Sequence, residues 1–319
     1  MRAMLRLAFI ALCAVSVAHA ADFPSKPVRF VTGANAGSTG DVLGRVLADQ
    51  LSTLWKQPTI VDNRPGGGGV IASQATLAAP PDGHTVCICA GSYVTITPAT
   101  TANMPYDVDQ DFTPIAFVAE IPLVIGARPD LPYKTISQLV AFAKANPDQV
   151  NYAANTPGTF PNLATEYFSQ QAGIKMRFIP YKGSAPALAD VMGGRLDLVV
   201  EGVAALGGAI KGGQLRPLAV TSTRRDPTLP DVPAIAESIP RFSAVGFYVV
   251  LAHAKTPEPL AAKLSEDFRQ VLARPDVAAK LAETGNYVRP MTRPEVTAFI
   301  KREREIWGAV IQKLGFTPK

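Results

Sequence analysis

Residues 28–54 read Val-Arg-Phe-Val-Thr-Gly-Ala-Asn-Ala-Gly-Ser-Thr-Gly-Asp-Val-Leu-Gly-Arg-Val-Leu-Ala-Asp-Gln-Leu-Ser-Thr-Leu. Val28 to Thr32 has the character of a short buried strand. From Asp41 to Leu54 the apolar residues Leu43, Val46, Leu47, Leu51 and Leu54 recur at helical spacing and form one face of a helix. The eight residues between the two segments are small or polar. Downstream come a strand over Thr59 to Val61, a glycine-rich turn at Gly66 to Gly69, a helix to about Ala78 and a strand over Thr85 to Ala90. This βαβαβ order predicts a mostly parallel sheet covered by helices.

A second alternating series follows. Two strand-like runs flank Pro122 between Ile115 and Ala127, and Thr135 is placed to cap a helix carrying Ile136, Leu139, Val140 and Ala143. Strands are expected at Val150 to Ala153, Met176 to Pro180, Leu196 to Val200 and Leu215 to Val220. Helices are expected at Pro161 to Gln171, Ala185 to Met192 and Ala204 to Lys211. Pro227, Pro230, Pro233 and Pro240 mark a connection rather than a core element. Phe247 to Leu251 is a last strand, followed by three helices beginning near Glu258, Pro275 and Pro294. The simplest assembly is an α/β chain of two lobes, each a mostly parallel sheet flanked by helices, with a ligand cleft where strand ends meet helix starts. One lobe takes residues 21–124 and 246–319, the C-terminal helices completing it, and the other takes 125–245.

Residues 1–20 carry the three parts of a secretory signal peptide: basic Arg2 and Arg6, the apolar run Leu7 to Val17, and Ala18-His19-Ala20 with small residues at the −3 and −1 positions of a cleavage site. That run is far below the ~20 residues of a membrane span. Without it the formal charge falls from +5 to +3, since Arg2 and Arg6 leave and no acid does. So mild an excess, with no basic cluster, argues against nucleic acid. Hydrophobic content of 47% is ample for two cores. Cys87 and Cys89 fall on one face of a strand about 7 Å apart, a spacing that opposes a disulfide, so two buried free thiols are expected.

Two loops stand out, each between a strand and a helix. The first is Ala34-Asn35-Ala36-Gly37-Ser38-Thr39-Gly40-Asp41 and the second Asn155-Thr156-Pro157-Gly158-Thr159-Phe160-Pro161-Asn162. Small residues let backbone N–H groups approach an anion, and a helix N-terminus adds unpaired donors and partial positive charge. The same residues also serve as ordinary helix caps, so for either loop alone both readings stay open. One loop per lobe favours binding, because a cleft needs a wall on each side. Gly66 to Gly69 matches neither a spaced GxGxxG fingerprint nor a phosphate-binding GxxxxGK[ST] loop and reads as a tight turn. His84, Cys87 and Cys89 lack a fourth metal ligand, and no metal or cofactor is expected. Asp107, Asp109 and Asp111 lack the glycine of a calcium loop and read as a solvated turn. Without a GxSxG elbow, and with only His84 and His253 beyond residue 20, a secreted hydrolase is the weaker alternative.

The motifs resemble those of Bug-type solute receptors of tripartite tricarboxylate transporters, which are two-lobe, type II-like periplasmic binding proteins. The resemblance is carried in order by Phe23-Pro24-Ser25-Lys26-Pro27-Val28-Arg29, Ala36-Gly37-Ser38-Thr39-Gly40-Asp41, Val61-Asp62-Asn63-Arg64-Pro65-Gly66 and Pro81-Asp82-Gly83-His84-Thr85. Pro180-Tyr181-Lys182-Gly183, Gly193-Gly194-Arg195-Leu196-Asp197 and Leu229-Pro230-Asp231-Val232-Pro233 continue it. It implies an exported, non-enzymatic, monomeric receptor that takes a small carboxylate, a dicarboxylate or related organic acid, to integral-membrane permease subunits. A sensing role for the same cleft is the alternative. Carried over residue by residue, Asn35, Ala36, Gly37, Ser38 and Thr39 hold one end of the ligand, and Thr156, Pro157, Gly158, Thr159 and Asn162 the other. Asp41 fixes the first loop. Ser92, Glu201 and Phe247 are added as cleft residues, each with packing or capping as the competing role. Departures from the family pattern at Ser38, Thr156, Asn162 and Phe247 all bear on the pocket, so the ligand is not inherited from any relative.

Overall fold

The computed structural model describes residues 23–154, 157–181 and 183–316; the expected signal peptide and the site residue Thr156 lie outside the described residues. The chain runs β1 (Val28–Thr32), α1 (Thr39–Trp55), β2 (Thr59–Asn63), α2 (Val70–Leu77), β3 (Thr85–Ala90), β4 (Phe112–Ala127), α3 (Ile136–Ala145), β5 (Asn151–Ala154) and α4 (Phe160–Ala172). It continues through β6 (Arg177–Pro180), α5 (Ser184–Met192), β7 (Leu198–Gly202), α6 (Val203–Lys211), β8 (Arg216–Val220), β9 (Val245–His253), α7 (Glu258–Leu272), α8 (Pro275–Ala282) and α9 (Arg293–Lys313).

The fold is a two-lobe α/β architecture with a mixed sheet at its centre. In the first sheet β2, β1 and β3 are parallel, β9 joins β3 antiparallel, and β4 joins β9 antiparallel. In the second, β7, β5 and β6 are parallel, while β4 meets β7 and β8 antiparallel. The crossing is made by β4 alone. Its residues Phe112 to Pro122 pair with β9, and Leu123 to Ala127 pair with β7. The two runs expected on either side of Pro122 are therefore one strand of 16 residues. Pro122 faces Val245 at the end of the β9 ladder, and Leu123 opens the β7 ladder. A residue without an N–H costs least where one pairing ends and another begins.

Each sheet has its own core. Beneath the first lie Phe30, Leu43, Leu47, Leu51, Leu264 and Phe268, all fully buried. The predicted face of α1 holds except at its end: Leu54 is exposed, and Trp55 turns inward to donate its indole N–H to Asp267 at 2.7 Å. Beneath the second sheet lie Leu139, Tyr152, Leu163, Phe168 and Phe242. Burying side chains of this size stabilises each by about 1.5–3 kcal/mol. Helix α9 joins the two. Val296, Phe299 and Ile300 pack beside the first sheet, while Trp307, Val310 and Ile311 enter the second core. Its 21 residues span roughly 30 Å, enough to reach both.

Cys87 and Cys89 form a disulfide, contrary to the expected free thiols. The 7 Å spacing assumed a fully extended strand; here the α-carbons are 5.4 Å apart, within the range a disulfide bridges. Among the described residues no helix is long and apolar enough to cross a membrane.

Candidate functional site

Between the two sheets lies a cleft of about 970 Å³. Its first wall is the β1–α1 loop. Gly37 sits at φ +80°, a region that glycine enters without penalty, and donates its N–H to Asp41 Oδ2 at 2.9 Å. Asp41, at the first turn of α1, is 3% exposed. It also accepts from Asn63 Nδ2 at 3.0 Å and Arg45 Nε at 3.0 Å, and the same Asn63 amide reaches the Ala34 carbonyl at 3.1 Å. The hydrogen bond from Arg45 is the largest influence on the Asp41 carboxyl and, despite burial, holds it near pKa 2 against an ordinary 3.8. Asp41 is therefore ionised and consumed in shaping the loop, the role its sequence position implied. The Ser38 hydroxyl donates back to the Asn35 carbonyl at 2.7 Å, so no side chain caps α1.

The second wall repeats this arrangement at the β5–α4 loop. Gly158 sits at φ +79° and donates its N–H to Asn162 Oδ1 at 3.0 Å. Thr159 occupies the same extended N-cap conformation as Ser38, again without a side-chain cap bond. In both loops a left-handed glycine is followed by a hydroxyl residue and, four positions on, by an Asx side chain that accepts the glycine amide. The second lock is neutral. Buried Asn162 donates to the Tyr152 hydroxyl at 3.0 Å, and that hydroxyl donates in turn to Glu166. Burial raises the Glu166 carboxyl above its usual range.

Of the residues singled out from sequence, Asn35, Gly37, Ser38, Thr39, Thr159 and Glu201 line this one cleft. Glu201 stands at the end of β7 and accepts the Gly202 N–H at 3.2 Å. Ala36 is exposed in the same loop, off the cleft wall; Pro157 and Gly158 shape the second loop, and Asn162 lies beneath it. Ser92 and Phe247 line a smaller adjoining cavity instead. Phe247 is packed between Phe117 and Phe299, with ring centroids at 5.8 and 4.9 Å. Alternation along β9 turns its neighbour Tyr248 towards the cleft in its place.

Tyr248 was missed from sequence, as were Tyr93, Tyr181, Ser184, Thr284 and Asn286, all on the cleft wall. Strand parity would have found Tyr248 once the register with β3 was known. Tyr93 explains the glycine-rich turn: a Cβ on Gly69 would lie 2.2 Å from its ring, so only glycine lets the ring reach the cleft floor. Burial pushes the Tyr93 phenol up to about 12 and raises that of Tyr248 as well, so both are neutral at physiological pH. Thr284 and Asn286 lie on a turn after α8 whose next residue, Tyr287, donates to buried Asp226 at 2.6 Å.

The cleft carries hydroxyl, phenol and amide side chains together with Glu201. His84 accepts the Ser25 N–H through Nε2 and lies against Asp82 through Nδ1; His253 accepts the Lys255 N–H; neither lines the cleft. Among the described residues there is no group of three or more metal-ligating side chains.

Residues 43–316 match the family described as tripartite tricarboxylate transporter family receptor. Among solved structures, a Rhodopseudomonas palustris protein with adipate is 30% identical, with a TM-score of 0.84 over 93% of this chain and 100% of its own. The periplasmic binding protein BugD is 29% identical, with a TM-score of 0.80 over 93% of this chain and 100% of its own. MatC from Rhodopseudomonas palustris, with bound malate, is 27% identical, with a TM-score of 0.77 over 91% and 100%.

Proposed function

The chain belongs to the tripartite tricarboxylate transporter receptor family, and from that membership we propose that it is exported to the periplasm, captures a small organic acid in the cleft and delivers it to membrane permease subunits without chemical change. The observation that carries this reading is the pair of matched locks at Gly37–Asp41 and Gly158–Asn162. Each bends its loop so that the start of a helix without a side-chain cap faces the cleft from one side, where helix amides and hydroxyls favour a carboxylate. Adipate and malate in two similar structures support the ligand class.

In this reading Asn35, Ser38 and Thr39 receive one end of the acid, and Thr156 and Thr159 the other, while Ala36, off the cleft wall, takes no part. Gly37, Gly158 and Asn162 act by holding the loops in shape. The lobes, residues 21–124 with 246–319 and residues 125–245, close about the strand that crosses between them, β4. Five or six hydrogen bonds to a charged carboxylate, each worth about 1.5–3 kcal/mol, suffice for micromolar affinity. Tighter binding to the closed form is what couples capture to delivery.

A thermal-shift screen of mono-, di- and tricarboxylates, followed by calorimetry on the hits, tests the proposal. A bound acid raises the melting temperature by mass action. A screen in which no carboxylate stabilises the protein, while amines or sugars do, overturns it.

A further inference from the structure

A second cavity, of about 140 Å³, adjoins the cleft and shares Ile121 and Tyr248 with it. It lies beside the start of β9, where β4 crosses between the sheets, and its wall is mainly apolar: Leu123, Phe160, Phe247 and Trp307 contribute rings and a branched chain. Phe160 and Trp307 meet edge to face at 5.3 Å. Gly246 keeps the space open, since a Cβ there would stand 3.3 Å from the Phe160 ring. A cavity of similar volume lined by Leu, Ile and Phe stays dry and accepts benzene.

Its position relative to the second loop gives it a role. Phe160 directly follows Thr159, which lines the cleft, so one wall of the annex begins where the proposed carboxylate contacts end. We propose that the annex is a specificity subsite for the apolar body of the ligand, and that the preferred acid carries a phenyl-sized group beside its carboxylate. This rests on the receptor reading above and sharpens it: the cleft selects for charge and the annex for the shape of the hydrocarbon.

The test is calorimetry on the mature protein with two matched pairs, succinate with phenylsuccinate and propionate with 3-phenylpropionate. The phenyl member of at least one pair is expected to bind roughly ten- to a hundredfold tighter than its parent, the gain from burying one ring. Leu123→Phe, which fills the annex, is expected to cut that advantage below about threefold. Trp307→Phe, which enlarges it, is expected to admit a naphthyl analogue that the wild type rejects. Parent-acid affinity in each variant reports that the cleft is intact. Parent acids binding with no ring advantage in the wild type overturn the annex and leave the receptor reading standing. A ring advantage unchanged in both variants also overturns it, since the ring then sits elsewhere. Absence of binding by all four acids overturns the annex, and the carboxylate screen above then decides the receptor reading separately.

Discussion

Replacing Gly37 with valine probes the first lock directly. Gly37 is exposed at φ +80°, and nothing lies within 4 Å of the Cβ a substitution would add, so the cost is conformational and involves no clash. An L-residue in the left-handed region costs roughly 1–2 kcal/mol, more when β-branched. The loop can relieve that strain only by leaving the left-handed region, which breaks the 2.9 Å bond from the Gly37 N–H to Asp41. A hydrogen bond to a charged acceptor is worth about 1.5–3 kcal/mol, of the same size as the strain. The binding-competent loop is thus disfavoured by about 2 kcal/mol, and affinity for the best acid from the screen should fall roughly thirtyfold. Neither core is touched, so the melting temperature should move by less than about 5 °C. Gly37→Asn is the control, because asparagine tolerates the left-handed region and should keep most of the affinity. Calorimetry for binding and circular dichroism for unfolding read both quantities. Wild-type affinity in the valine variant, or equal loss in both variants, would refute the lock.

Three further outcomes follow from the same geometry. Asp41 titrates near 2 when folded against 3.8 ordinarily, so its contribution to stability is present above pH 3.8 and is lost as pH falls towards 2; melting curves of wild type and Asp41→Asn should converge over that interval and run parallel above it. Asn162→Asp keeps the acceptor for Gly158 but sets a second carboxylate against the Tyr152 hydroxyl, already donated to Glu166; a loss of about 2–4 kcal/mol in denaturant unfolding is expected, and a neutral result would show that the chain is not closed as drawn. Tyr287→Phe removes a donor from Asp226, which is 1% exposed and already has one oxygen without a partner; the melting temperature should drop by about 5 °C, and an unchanged value would mean Thr228 alone satisfies the carboxylate.

Much of this architecture was legible in the chain because local rules and tertiary need coincide. Leu43, Leu47 and Leu51 mark the buried face of α1 by spacing alone, and small residues between a strand and a helix mark both loops. What escaped depended on distances along no single element. The continuity of β4 through Pro122 follows from a change of partner strand that the sequence of β4 does not contain. The choice of Tyr248 over Phe247 for the cleft is a matter of parity, fixed by the pairing of Ala90 with Tyr248 and Cys89 with Val249. The Cys87–Cys89 bridge depends on a local contraction of β3, and the turn at Thr284 to Asn286 reaches the cleft only because α7 and α8 return the chain there.

The two locks share their geometry with little shared sequence. Their common content is a glycine, a hydroxyl residue and an Asx at fixed offsets, three positions in a stretch of five, and even these diverge in charge. The divergence has a physical consequence. The first loop is braced by an ionised carboxylate that binds Gly37, Asn63 and Arg45 together, with Asn63 reaching on to the Ala34 carbonyl. In the second loop the Gly158 amide meets the neutral Asn162, which is itself joined to a buried chain through Tyr152 to Glu166. A charge-assisted bond holds its loop amide more firmly than a neutral one, so the Gly37 lock is the better preorganised of the two for an arriving anion. In a receptor that closes on its ligand, the charge-assisted lock is the one suited to meet the acid first, and the neutral one to tighten on closure.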